Sequence, residues 1–139
     1  MAKIDNAQLS VTQGGNWFVF TLDWRCSFVP EETNFVFDTN WTLMEKDVGE
    51  VFGGNDDVVD STVSPHVHSA HSDVKRFKSV DLNPPNPRVV EFRDTRQWHR
   101  EDVDTESGGE EIYANVNLRN VTLDSFAPMG RSNLLNVSP

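Results

Sequence analysis

His66, His68 and His71 bring three imidazoles into one short stretch, His66-Val67-His68-Ser69-Ala70-His71. On an extended segment, residues two apart face the same way. His66 and His68 could therefore grip one Zn²⁺ or Cu²⁺, with His71 or Asp73 completing the shell. Such binding would weaken as pH falls through the imidazole pKa near about 6.5, because only the neutral ring is a ligand. The competing reading is a polar, exposed loop that happens to carry three histidines, able at most to titrate near pH 6 and loosen a contact. No cysteine lies nearby and no His-Glu-x-x-His pattern supplies a catalytic base, so the cluster does not by itself indicate an enzyme.

Carboxylates gather at Asn55-Asp56-Asp57-x-x-Asp60 and at Asp102-x-Asp104-x-Glu106. Hard cations want several such oxygens, and a calcium site between loops would use them. The second run starts like an EF-hand loop and then departs from it. Ser107 stands where the sharp-turn glycine belongs, and Tyr113 where the bidentate glutamate belongs. Solvated acidic loops are the default for both runs. No Gly-x-Ser-x-Gly elbow marks a nucleophile, and Gly14-Gly15, Gly53-Gly54 and Gly108-Gly109 read as turns rather than phosphate cradles. Among the tryptophans, Trp24 and Trp41 read as core. Trp17 and Trp98 sit among polar neighbours and are the candidates for an exposed surface that stacks on sugar rings.

Twelve basic residues against 22 acidic ones give a net charge of −10. That balance repels phosphate backbones and disfavours nucleic-acid binding. Lys75, Arg76 and Lys78, and Arg93, Arg96 and Arg100, read as partners of the surrounding acids. No segment approaches membrane-spanning length, and Met1-Ala2-Lys3-Ile4-Asp5-Asn6 lacks a signal-peptide pattern. The expectation is a cytoplasmic or particle-associated protein, or one released without a cleaved signal. On that footing the glycosylation patterns at Asn40 and Asn120 are chance occurrences. The single cysteine, Cys26, reads as a buried, inert thiol.

The elements that must position these groups are strands. Phe18, Phe20, Leu22, Trp24, Cys26 and Phe28 recur at every second position, which lays one apolar face along a strand at 17–28 and fits no helix. Ala7, Leu9 and Val11 predict a preceding strand, joined through Gln13-Gly14-Gly15-Asn16. After a turn at Pro30–Asn34, a third strand is expected over 35–44, with Phe35, Phe37, Trp41 and Leu43 on one face and Thr39 interrupting the stripe. Residues 45–88 hold four prolines and little regular pattern, with short strands expected near Phe52, Val58-Val59 and 74–80. Strand character returns at 89–93. An acidic loop at 101–111 precedes a strand on Ile112, Ala114, Val116 and Leu118, with Tyr113 on the opposite face. A final strand is expected over 131–138.

Phe18–Trp24 resembles the second strand of fibronectin type III and related immunoglobulin-like modules. Glu111–Leu118 is similar to their sixth strand, and Gly130–Val137 to the entry of their last. The resemblance covers about half the chain and implies a fold without an activity. The predicted architecture is a single domain over 1–139, an all-β, immunoglobulin-like antiparallel sandwich with an irregular insertion around 45–88. Its expected core is Phe18, Phe20, Leu22, Trp24, Phe28, Phe35, Phe37, Val90, Phe92, Ile112, Val116 and Leu118.

With no catalytic constellation, the leading expectation is a non-enzymatic structural or interaction module. It would act through protein partners or self-assembly, as a virion or phage decoration component or another particle subunit. Sheet edges offer such interfaces by strand addition. The alternative is a lectin-like module that binds a glycan through Trp17 and Trp98, with calcium on Asp102 and Asp104. No cofactor is expected, zinc on His66, His68 and His71 or calcium being the exceptions.

Overall fold

The computed structural model describes residues 1–46, 57–59, 71–103 and 110–137. Strands β1 (Lys3–Gly14) and β2 (Trp17–Ser27) form a hairpin whose turn holds Gly15 at φ +62°, the left-handed region that suits glycine. Then come β3 (Phe37–Glu45), two short pieces β4 (Asp57–Val58) and β5 (Lys75–Phe77), and β6 (Val89–His99). After one helical turn, Arg100–Val103, the chain continues into β7 (Glu110–Asn120). It returns along β7 as three fragments, β8 (Ser125–Phe126), β9 (Gly130–Arg131) and β10 (Leu135–Val137).

These strands make two antiparallel sheets. One has the order β1-β2-β6. In the other, β7 and β3 pair along their length, with β4 and β5 on the far side of β3 and β8, β9 and β10 on the far side of β7. The apolar faces meet across one core, so the molecule is an all-β sandwich.

The period of two drives this packing. Along β2 every even residue from Phe18 to Cys26 is buried while the odd ones are partly exposed. Each such fully buried large side chain contributes about 1.5–3 kcal/mol relative to an exposed one. Aromatic rings knit the layers together. Phe28 lies 4.8 Å from Phe37, and Trp41 meets Trp98 edge-on at 5.9 Å, each pair spanning the two sheets.

The polar atoms buried with these rings are satisfied. The Trp41 indole N–H donates to Asp94 Oδ2 at 2.8 Å. Thr39, the residue that interrupts the apolar stripe, accepts a hydrogen bond from Trp24 Nε1 at 3.1 Å and donates to the Asn117 carbonyl at 2.8 Å. A buried tryptophan needs one such acceptor, and the hydroxyl supplies it.

Most of the expected core is in place. Phe35 and Phe92 pack against it while only partly buried, and Phe35 precedes β3 rather than opening it. Within 74–80 only Lys75–Phe77 is strand, and Ser79–Leu82 is a 3₁₀ turn. The single final strand expected over 131–138 is two fragments, β9 and β10, separated by residues 132–134. Tyr113 is buried although it faces away from the Ile112 stripe, because the Arg131 guanidinium lies 3.8 Å over its ring. Phe52 lies outside the described residues.

Cys26 is fully buried opposite Val90, and burial first, with nearby Asp5 second, pushes its thiol up from 9.0 to about 12. In the unfolded chain this thiol ionises near its ordinary value. The stability it contributes is therefore complete below that value and is lost as pH rises toward 12. At pH 8 the folded protein should leave a thiol reagent unconsumed, and full labelling should appear only with unfolding. Rapid labelling of the folded chain would contradict the burial.

Candidate functional site

The expected sites fare differently in three dimensions. His66 and His68 lie outside the described residues, as do Asn55, Asp56, Asp60, Asp104 and Glu106. His71 is exposed and bridges to β3, its Nδ1 lying 2.6 Å from Thr42 Oγ1 while its carbonyl accepts from Arg96 at 2.6 Å. Asp102 is buried in the Arg100–Val103 turn. Among the described residues no group of three histidine, cysteine or acidic side chains could hold a metal ion.

Trp98 corrects an expectation. Its polar neighbours predict an exposed ring, yet only 1 % of it is accessible, its indole N–H donating to the Val59 carbonyl at 3.1 Å and its ring set against Phe20. Strand β6 runs six residues beyond the expected 89–93, so Val90, Phe92 and Trp98 share one inward face while the polar neighbours at odd positions point out. Following the alternation past Arg93 to Trp98 would have revealed this. Trp17 is half-buried, edge-on to His99 at 5.3 Å.

A surface the sequence did not single out is the outer edge of β6. In the β2–β6 ladder the pairs all sum to one register, Trp17 with His99 through Ser27 with Val89. Beyond the two ends of the strand, Phe28 N–H donates to Arg88 O at 2.8 Å and Arg100 N–H to Asn16 O at 2.7 Å. Antiparallel pairs alternate between bonded and non-bonded, so the even residues of β6 bond to β2 and the odd residues turn their backbone groups outward. Glu91, Arg93 and Thr95 consequently aim N–H and C=O groups away from the sheet. None of these meets a backbone partner among the described residues.

The other sheet edges are managed. Among the described residues, both flanks of the β3–β7 pair carry only fragments of strand. At the edge of β1, the Asn133 side-chain amide takes the place of a neighbouring strand. It accepts from Leu9 N–H at 2.7 Å and donates to Leu9 O at 3.1 Å. Gly130 comes so close to this strand that a Cβ there would sit 2.6 Å from Ile4 Cγ2. Along this edge of β6 the stretch Glu91–Thr95 is left without a covering strand among the described residues.

Its outward face is charged in a pattern. Arg25 on β2 stands opposite Glu91, and Asp23 opposite Arg93, whose Nε lies 2.9 Å from Asp23 Oδ1. Beside the first half of the edge runs an apolar groove of about 540 Å³, lined by Leu82, Pro84, Pro85, Val89 and Phe92 among others.

No protein-family model matches this chain, and no curated protein matches it significantly. No helix among the described residues is long and apolar enough to cross a membrane.

Proposed function

We propose that this domain is a non-enzymatic interaction module, immunoglobulin-like in arrangement, that works inside an assembly by strand addition at the outer edge of β6. The observation that carries the reading is the row of outward backbone groups at Glu91, Arg93 and Thr95 beside an apolar groove. Main-chain hydrogen bonds to an added strand give affinity, and a groove beside the ladder gives side-chain selectivity. The assembly in this reading is a large particle, with the domain as one of its subunits, for example a virion or phage decoration component. The sugar-binding alternative rests on Trp17, because the Trp98 ring is packed between the sheets.

Amide exchange on dilute protein tests the edge. The amides of Glu91, Arg93 and Thr95 should exchange orders of magnitude faster than those of Val90, Phe92 and Asp94, which bond to β2. Uniformly slow exchange along β6 at high dilution would show that the edge is closed and would overturn the reading. A panel of extended peptides should yield binders whose affinity disappears with Thr95→Pro, since proline removes an outward donor while leaving the β2 ladder intact. Binders indifferent to that substitution would locate recognition elsewhere.

A further inference from the structure

The geometry points to a second copy of this chain as the strand that completes the β6 edge, in an antiparallel register that sets Phe92 opposite Phe92 on a two-fold axis. The inference rests on the edge reading above and identifies its partner. A two-fold pairing of identical edges is isologous, so every contact occurs twice. The pleat requires outward backbone groups to meet outward backbone groups, odd residues opposite odd.

Charge then selects among the registers. Centring on Phe92 sets Glu91 of each copy opposite Arg93 of the other. Centring one residue earlier sets Glu91 against itself, and one residue later sets Arg93 against itself. Centring on Val90 or on Asp94 pairs no opposite charges on that face. Like charges directly opposite destabilise a ladder and opposite charges support it.

The existing sheet already carries the matching pattern. Arg25 stands opposite Glu91 and Asp23 opposite Arg93. In the Phe92-centred register, one row across the joined sheets runs Arg25, Glu91, then Arg93 and Asp23 of the second copy. Its signs alternate at each step. The symmetry-related row reads the same in reverse. Arg93 is 73 % exposed in its side chain, so its guanidinium has room for a second carboxylate beside Asp23.

Charged residues on an edge ordinarily deter pairing. Here they disfavour the two adjacent registers and support the Phe92-centred one. On the inner face the Phe92 rings come together beside Trp24, which is stacked on Phe92 at 5.2 Å. Near the ends of the ladder Arg88 would face Arg96. Each of these draws its guanidinium back into its own fold, onto the carbonyls of Phe28 and His71.

Sedimentation of the full chain over a range of concentration tests this with Glu91→Arg and Arg93→Glu. The unaltered protein should show a concentration-dependent dimer, with the amides of Glu91 and Arg93 gaining protection as the dimer forms. Each single variant should dimerise about tenfold less tightly or worse, because it sets two like-charged pairs across the axis. An equimolar mixture of the two variants should recover the dimer, since the reversed chains complement each other. A cooperative melt of each variant, lowered only modestly by the like-charged pair it sets against Arg25 or Asp23 within its own sheet, shows that folding is intact. Thr95→Pro should weaken the dimer in a way that no charge exchange rescues.

A strict monomer overturns the second-copy proposal. So does a dimer whose affinity ignores both reversals, or a mixture that fails to recover it. A monomer whose edge amides still exchange fast, and which still selects edge-binding peptides, overturns the self-pairing alone and leaves the interaction edge intact. Slow edge exchange in that monomer would overturn both.

Discussion

Trp98→Ala should lower the folding stability by about 3–5 kcal/mol, the range for removing a large aromatic side chain from a packed core. The ring touches both layers of the sandwich. It meets Phe20 edge-on at 5.7 Å and Trp41 at 5.9 Å, and its N–H is the donor to the Val59 carbonyl. Alanine leaves a void between those rings and takes a hydrogen bond from Val59. The surrounding strands are held by their ladders and can close the void only in part. Trp98→Phe should be milder, losing the indole donor and some volume while keeping the aromatic contact. Denaturant unfolding measures both. A loss under about 1 kcal/mol for the alanine variant would place the ring outside the core, against its burial.

Thr39→Val should cost about 1–3 kcal/mol despite being close to isosteric, because it strips the acceptor from a buried donor. Thr39 is buried between the sheets, and its Oγ1 is the acceptor for Trp24 Nε1. Valine cannot accept, and the Trp24 indole is buried away from solvent. Trp24→Phe in the same background removes the orphaned N–H, so the double variant should be less destabilised than the sum of the singles. A positive coupling of this kind identifies the hydrogen bond rather than the lost hydroxyl in isolation. Strict additivity in that cycle would refute the pairing. Thr39→Ser, which keeps the oxygen and loses a methyl group, should retain most of the stability.

The two substitutions probe different kinds of information. Thr39 breaks an apolar stripe in the sequence, and the break marks a residue with a partner. Its partner is an indole on the opposite sheet, 15 positions away, which no local pattern names. Trp98 shows the complementary case. Its polar neighbours Gln97, His99 and Arg100 suggest exposure when composition is weighed over a window. A strand alternates, and the odd-numbered polar residues face away from the ring they flank. Parity along the strand, not the polarity of the neighbours, decides where the ring lies.

The histidine and acidic clusters illustrate a further limit. His66 and His68 lie outside the described residues, and His71 turns out to be tied to Thr42 and Arg96 on two other strands. Spacing along an extended segment says which imidazoles share a side. It does not say which of them the fold has already engaged.

The class of the fold followed from the sequence alone. A period of two in Phe18–Phe28, glycine-rich turns and the absence of helical spacing require antiparallel sheets, because side-chain direction in a strand is a local property of the backbone. The same period named most of the buried residues. The interaction edge was decided only by tertiary structure. Whether Glu91, Arg93 and Thr95 have their backbone groups bonded depends on which strands β6 neighbours and in what register. It also depends on whether something like Asn133 covers them, as it covers Leu9 on the other side of the sheet. Strand order and edge position arise from contacts between residues distant in the chain, and no local pattern encodes them.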